Sequence, residues 1–179
     1  MTDELLVVRA QLGERNAFAD LVRAWHDPLT SYVRRMLDAE RADDVVQEVW
    51  LAVVRGLPRL RDPARFPPWL FSIARRAVTD RLREEYARPE AAHPARSEPG
   101  GEVRAGAVDD AVLDRAAVVA GVAALPVRER EVVILFYLLD LSLETCAEIC
   151  GIPVGTVKSR LSRGRRMLRT EFTEKGFAR

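Results

Sequence analysis

Cysteine and histidine are scarce, two of each among 179 residues. Cys146 and Cys150 stand four apart with no histidine nearby, and His26 and His93 are isolated. A structural zinc site needs more ligands than this, and a disulfide scaffold more cysteines. The two thiols are read as small hydrophobes on an apolar helix face. Catalytic fingerprints are missing as well: no Walker loop, no dinucleotide-binding glycines, no triad pattern. The expectation is no metal, no cofactor and no enzyme. No apolar run approaches the roughly 18 residues that cross a bilayer. Met1 to Gln11 lacks the basic start and apolar centre of a signal peptide, so a cytoplasmic protein without membrane insertion is expected. Strand-like alternation of useful length is absent too, which leaves helices.

What is present is apolar content for a core, 48% hydrophobic residues, and charge that is segregated instead of abundant. The net charge is only +1, so attraction for nucleic acid has to come from local patches. Met1 to Trp50 carries ten acidic and six basic residues, and Arg55 to Arg88 nine basic and four acidic. Val154 to Arg169 holds six basic residues and no acid. Lysine supplies only two of the 28 basic residues, a bias given little functional weight. Between Arg88 and Asp110, Pro89, Pro94, Pro99, Gly100, Gly101 and Gly106 occur with almost no large apolar side chain. This composition predicts a flexible linker over 88–110. It separates a front module, 1–87, from a back module, 111–179, both all-α.

In the front module Val45, Val46, Val49, Trp50, Val53, Val54 and Leu57 repeat at the helical period and predict one apolar stripe. Asp43 and Asp44 suit the positive end of that helix, and Gly56 with Pro58 its finish. A second helix is read from Trp69, Leu70, Ile73, Ala74, Ala77, Val78 and Leu82, entered through Pro67 and Pro68. The segment Phe18 to Leu37 has the same period but contains Pro28, which predicts a kink or a division there. In the back module Ser142 is a fair N-cap for a short helix with Leu143, Cys146, Ala147 and Cys150 on one face. Gly151 suits a left-handed turn residue and Pro153 the first turn of the next helix. That helix sets Val157, Leu161, Gly164 and Leu168 against Lys158, Ser159, Ser162, Arg163 and Arg166. The pattern is a helix-turn-helix.

A recognition helix buries one face on its partner and offers the other to base edges and phosphates in the major groove. Lys158 and Arg163 can donate to guanine or phosphate, Ser159 and Ser162 can serve either, and Thr156 near the helix start is placed for a phosphate. The bland alternative is a solvated basic face; the capped first helix, turn glycine and acid-free stretch weigh against it. The run SLETCAEICGIPVGTVKSRLSRGRRMLR resembles the promoter-reading helix-turn-helix of sigma domain four, matching its Gly-x-Pro-x-Gly-Thr-Val-Lys/Arg-Ser-Arg pattern from Gly151 to Arg160. Upstream, LPVREREVVILFYLLDLS resembles the same domain's Leu-Pro run. DDVVQEVWLAVVRGLPRL and FPPWLFSIARRAVTDRLRE resemble two helices of sigma domain two. The chain is therefore similar to the extracytoplasmic-function (ECF) group of sigma-70 factors, over nearly everything outside the linker and the termini.

That resemblance implies partners and sites. It assigns Asp44, Gln47, Glu48 and Leu51, spaced three, four and seven apart, to core RNA polymerase, although Asp44 alone serves equally as a helix cap. It assigns Arg61, Arg65, Phe66, Arg75, Arg76 and Arg83 to the single strand of the minus-ten promoter element, where cations and a base pocket compensate for lost pairing. Trp69 is read as core. It assigns Thr156, Lys158, Ser159, Arg160, Ser162, Arg163 and Arg166 to the duplex minus-thirty-five element. An anti-sigma factor is implied as a further partner. Two departures stand out: Arg76 replaces an asparagine of many relatives, exchanging an amide for a cation, and Thr145 with Cys146 replaces a glutamate and an apolar residue. Two readings from other classes compete: a stand-alone dimeric regulator that binds paired half-sites, and an interaction adaptor with non-specific DNA affinity. The Asp44, Gln47, Glu48 stripe separates the readings, since the regulator has no use for it.

Overall fold

The computed structural model describes residues 2–37, 39–87 and 110–174. All regular structure among them is helical. The front body consists of α1 (Asp3–Gln11), α2 (Arg15–Met36), α3 (Ala39–Gly56) and α4 (Phe66–Ala87). The back body consists of α5 (Asp110–Ala124), α6 (Val127–Val133), α7 (Leu143–Cys150) and α8 (Val154–Glu174). Nearly all of the segment read as a linker lies outside the described residues.

The valine stripe forms as its period demands. Val45, Val46, Val49 and Val53 of α3 are buried, but Val54, read as one of them, is 52% exposed. Each residue advances about 100° around a helix, which carries Val54 past the buried sector to the edge of the outward face. Gly56 ends α3 as expected, in close contact with the Trp69 ring: a Cβ there would meet the indole at 2.8 Å. Trp69 is a half-buried part of the core margin.

The helix α2 is not divided at Pro28 but runs through it as one element. Proline leaves the Ala24 carbonyl without its helical donor. Ala24 is exposed, so water can take that carbonyl. Edge-to-face aromatic pairs, favoured by the ring quadrupole, tie α2 to α4: Trp25 with Phe66 at 6.2 Å and Phe71 at 6.1 Å, and Tyr32 with Phe71 at 5.6 Å.

In the back body α6 gives way to a π-helical turn, Ile134–Leu138, which ends before Asp140 at φ 51°. A non-glycine residue at positive φ is uncommon and marks a sharp change of direction. It is followed at once by the start of α7. Ser142 caps α7, its Oγ accepting from the Thr145 N–H at 3.0 Å. Gly151 closes it at φ 64°, with Ile152 N–H donating to the Ala147 carbonyl. That is the left-handed stop described for helix C-termini. Pro153 sits one residue before α8, and its carbonyl accepts the first helical bonds from Thr156 and Val157. Small residues then let α8 approach its neighbours. A Cβ on Gly164 would lie 3.0 Å from Val133, and one on Gly121 3.1 Å from Leu168.

The two bodies are packed together. Helix α4 lies along α7, and α2 touches α5, α6 and the π turn. The buried apolar side chains of both bodies belong to one cluster.

Candidate nucleic-acid and partner interface

From Val154 to Arg169 the exposed face of α8 carries basic and hydroxyl side chains and no acid. Val157 and Leu161 are buried against the body, while Lys158, Ser159, Ser162, Arg163, Arg165 and Arg166 are exposed. Thr156 and Arg160 are partly covered. Two hydroxyls are already engaged: Ser159 donates to the Thr156 carbonyl at 2.9 Å, leaving its lone pairs, and Thr170 donates to Arg166. Arg163 stands on the flank, donating to Glu129 of α6 at 2.8 Å. Glu129 is only 5% exposed, so this ion pair gives a buried carboxylate a hydrogen-bonded partner. Arg165 and Arg169 share the open face and were not singled out from sequence; the acid-free run that contains them was the available signal.

On the front body Asp44, Gln47, Glu48 and Leu51 are all exposed along one side of α3. Leu51 is 49% exposed, and Val54 extends the stripe by one turn. The neighbouring Asp43 pairs with Arg34 of α2 at 2.9 Å, which leaves Asp44 as the outward carboxylate. Between α3 and α4 runs a groove lined by Glu48, Val49, Trp69, Ile73, Arg76 and Asp80. Arg76 opens onto it.

The remaining arginines read as strand-binding are split by their surroundings. Arg61 and Arg76 are exposed. Arg83 is 76% exposed and 3.4 Å from Asp80. Arg65, beside a proline-initiated turn that Asp62 caps, forms an ion pair with Glu148 of α7. That hydrogen-bonded partner, and then its charge, raise the Arg65 guanidinium pKa. Arg75 donates to Glu131 of α6 at 2.8 Å. Phe66 is fully buried, packed against Trp25 and Trp69, and in this arrangement has no ring face to offer a base. Its place at the first residue of α4, in the aromatic layer, is the physical reason.

Both cysteines are free and buried. Burial pushes the Cys146 thiol up to about 11 and the Cys150 thiol up to about 12, the latter helped by the Glu131 charge. Tyr32 is also raised, first by burial and then by Glu131, to which its hydroxyl donates at 3.3 Å. Among the described residues no helix is long and apolar enough to cross a membrane.

Comparison with known proteins places these surfaces in a family. Residues 21–88 match the model of sigma-70 region 2 and residues 115–168 that of sigma-70 region 4. The ECF RNA polymerase sigma factor SigC of Mycobacterium tuberculosis is 33% identical over 162 residues, covering 89% of this chain and 85% of that protein. SigW of Bacillus subtilis, also an ECF RNA polymerase sigma factor, is 31% identical, covering 94% and 95%. Among solved structures, CnrH in complex with the cytosolic domain of CnrY superposes with a TM-score of 0.72 at 26% identity, covering 96% of this chain and 97% of that one.

Proposed function

This chain belongs to the ECF group of the sigma-70 family and is an RNA polymerase sigma factor, and we propose the following division of that work between its two bodies. The front body, residues 1–87, docks on core polymerase through Asp44, Gln47, Glu48 and Leu51, with Val54 as an added apolar contact. Its α4 side holds the single strand of the minus-ten element through Arg61, Arg65, Arg75, Arg76 and Arg83. The back body, residues 111–179, reads the minus-thirty-five duplex with α8. Residues 88–110 connect the two.

The observation that carries this reading is the separation of faces. A polar stripe with apolar members lies on α3, where a protein partner can bury it. An acid-free cationic face lies on α8, where phosphates can meet it. Thr156, Lys158, Ser159, Ser162 and Arg166 project from one helix at the spacing a major groove accepts, with Arg160 and Arg163 on its flanks. The bond-making chemistry of RNA synthesis belongs to the core enzyme; this chain acts by binding, without a cofactor, in the cytoplasm. An anti-sigma factor that covers the same two faces would silence it, a control consistent with its family.

The test is a pair of opposed variants. Asp44→Lys with Glu48→Lys is expected to lower core-polymerase affinity in a pull-down or titration, while duplex binding by α8 persists. Lys158→Ala with Arg166→Ala is expected to weaken upstream duplex recognition, on the order of 1–3 kcal/mol for each base-reading side chain removed, and to leave polymerase binding intact. Unchanged polymerase affinity in the first variant would remove the α3 assignment.

A further inference from the structure

Helix α1 lies ahead of residues 21–88, the part of the chain matched to sigma-70 region 2. Its last residue, Gln11, reaches across the front body to the loop that joins α3 to α4. The side-chain amide donates to the Leu57 carbonyl at 2.9 Å and to the Leu60 carbonyl at 2.8 Å, from 46 and 49 positions away in sequence. A glutamine amide has two N–H donors, and both are engaged here. The acceptors lie just beyond the end of α3, where carbonyls lack the donors of a continuing helix. The Leu57 oxygen also takes the Leu60 N–H at 3.1 Å. Helix α1 can serve as an anchor because it is itself fixed: Leu6 and Val7 are buried, and Arg9 pairs with Glu14 at 2.7 Å across the turn into α2.

Arg61 directly follows the clamped Leu60, and the chain after it is fixed as well. Asp62 Oδ1 accepts from the Ala64 N–H at 3.1 Å, the Asp62 carbonyl accepts from the Arg65 N–H at 3.1 Å, and Phe66 is fully buried. Arg61 therefore stands exposed between two short turns, each held by a side-chain hydrogen bond. We propose that Gln11 is a positioning residue for promoter capture: its amide holds the loop in the form that presents Arg61 to the single strand. A loose loop has to be ordered as it binds, and that cost is subtracted from affinity, whereas a loop ordered beforehand keeps the full contact. Both Gln11 donors face protein carbonyls and the side chain carries no charge, so Gln11 acts on the strand through the loop. The inference rests on the assignment of Arg61 to the minus-ten strand.

The full-length chain serves for the test, with fluorescently labelled oligo(dT) as the probe, since a phosphate contact needs no promoter sequence. Gln11→Met keeps the length and helix propensity of the side chain and removes both donors. It is expected to weaken oligo(dT) binding in anisotropy titrations by about two- to tenfold, the range for ordering one long side chain at an interface. The slope of log affinity against log salt is the decisive readout. Arg61→Ala removes one phosphate contact and is expected to lower the magnitude of that slope by about 0.7. Gln11→Met is expected to lower it in the same direction although it removes no charge, and to add nothing further in the Arg61→Ala background. Gln11→Asn, one methylene too short to span both carbonyls, gives the same changes should Gln11→Met lose helical signal by circular dichroism. A merely structural role would lower the thermal midpoint and leave the salt slope where it was. Unchanged affinity, an unchanged slope, or additive effects of the two substitutions overturn the proposal. Arg61→Ala alone separates the two readings: if it weakens binding and Gln11→Met does not, the strand assignment stands and the clamp falls; if it has no effect, the assignment of Arg61 falls and the clamp with it.

Discussion

At the residue scale, the two thiols behave as the sequence implied, and the structure supplies their consequence. Cys146 and Cys150 are enclosed, with folded-state values of about 11 and about 12 against a reference of 9.0. Their thiolates are therefore withheld at neutral pH, and alkylation by iodoacetamide should be far slower in the native chain than in denaturant; equal rates would contradict the burial. Linkage gives a second outcome. These are acids whose folded values lie above the unfolded ones, so the unfolded chain loses protons first. Stability is fully present below about pH 9 and falls as pH rises from there toward 12. Tyr32, raised for the same reason of burial, adds to the fall above its reference of 10.0. Each such group contributes at most about 1.4 kcal/mol per pH unit. Urea midpoints measured from pH 8 to 11 should decline, and Cys146→Ala with Cys150→Ala should flatten the slope. Residue-level reading failed at Phe66 and Val54. An aromatic beside a cationic loop reads as well as a stacking platform as it does as core, and a valine next to a valine stripe reads as part of it, until neighbouring helices decide which sector is covered.

At the element scale, legibility followed capping and periodicity. Helices α3, α4, α7 and α8 each carry an apolar stripe with a start or stop signal, and each formed close to where those signals lie. Helix α1 did not announce itself. Its Leu5-Leu6-Val7-Val8 run buries the middle pair and exposes the outer two, so it shows neither the helical nor the strand period. Helix α5 was unread for a different reason: Ala116 to Ala124 is apolar on nearly every side, which gives no face. Pro28 does not divide α2, because a helix long enough on both sides tolerates one missing bond where water can replace it. The turn between α7 and α8 was fully legible, and it gives an element-scale prediction. Ser142→Ala removes the cap of α7 and should cost about 1 kcal/mol. Gly151→Ala forces a Cβ into the left-handed region and should cost about 1–2 kcal/mol. Both losses would appear as lowered thermal midpoints in circular dichroism, with upstream-duplex affinity falling as α8 loses its fixed angle; unchanged midpoints would show that neighbouring contacts, not this turn, hold α8.

At the scale of the whole molecule, the order of motifs declared two helical bodies and their family. How the bodies meet was not written in any local pattern. The pairs Arg75 with Glu131 and Arg65 with Glu148 join residues 56 and 83 apart in sequence, and nothing in a run of arginines marks which of them a distant glutamate will hold. Glu129 and Glu131 are both buried, each on a different arginine. Here acids of one body answer cations of the other, Glu148 facing Arg65 and Glu131 facing Arg75.

The central claim is that these two bodies act together as a polymerase specificity subunit. Run-off transcription with purified core RNA polymerase on a library of genomic fragments tests it most directly. Added chain should produce discrete transcripts from a defined subset of fragments, and the Asp44→Lys, Glu48→Lys variant should reduce them. No transcript above core polymerase alone on any fragment, together with unaided binding to paired duplex half-sites, would contradict the account.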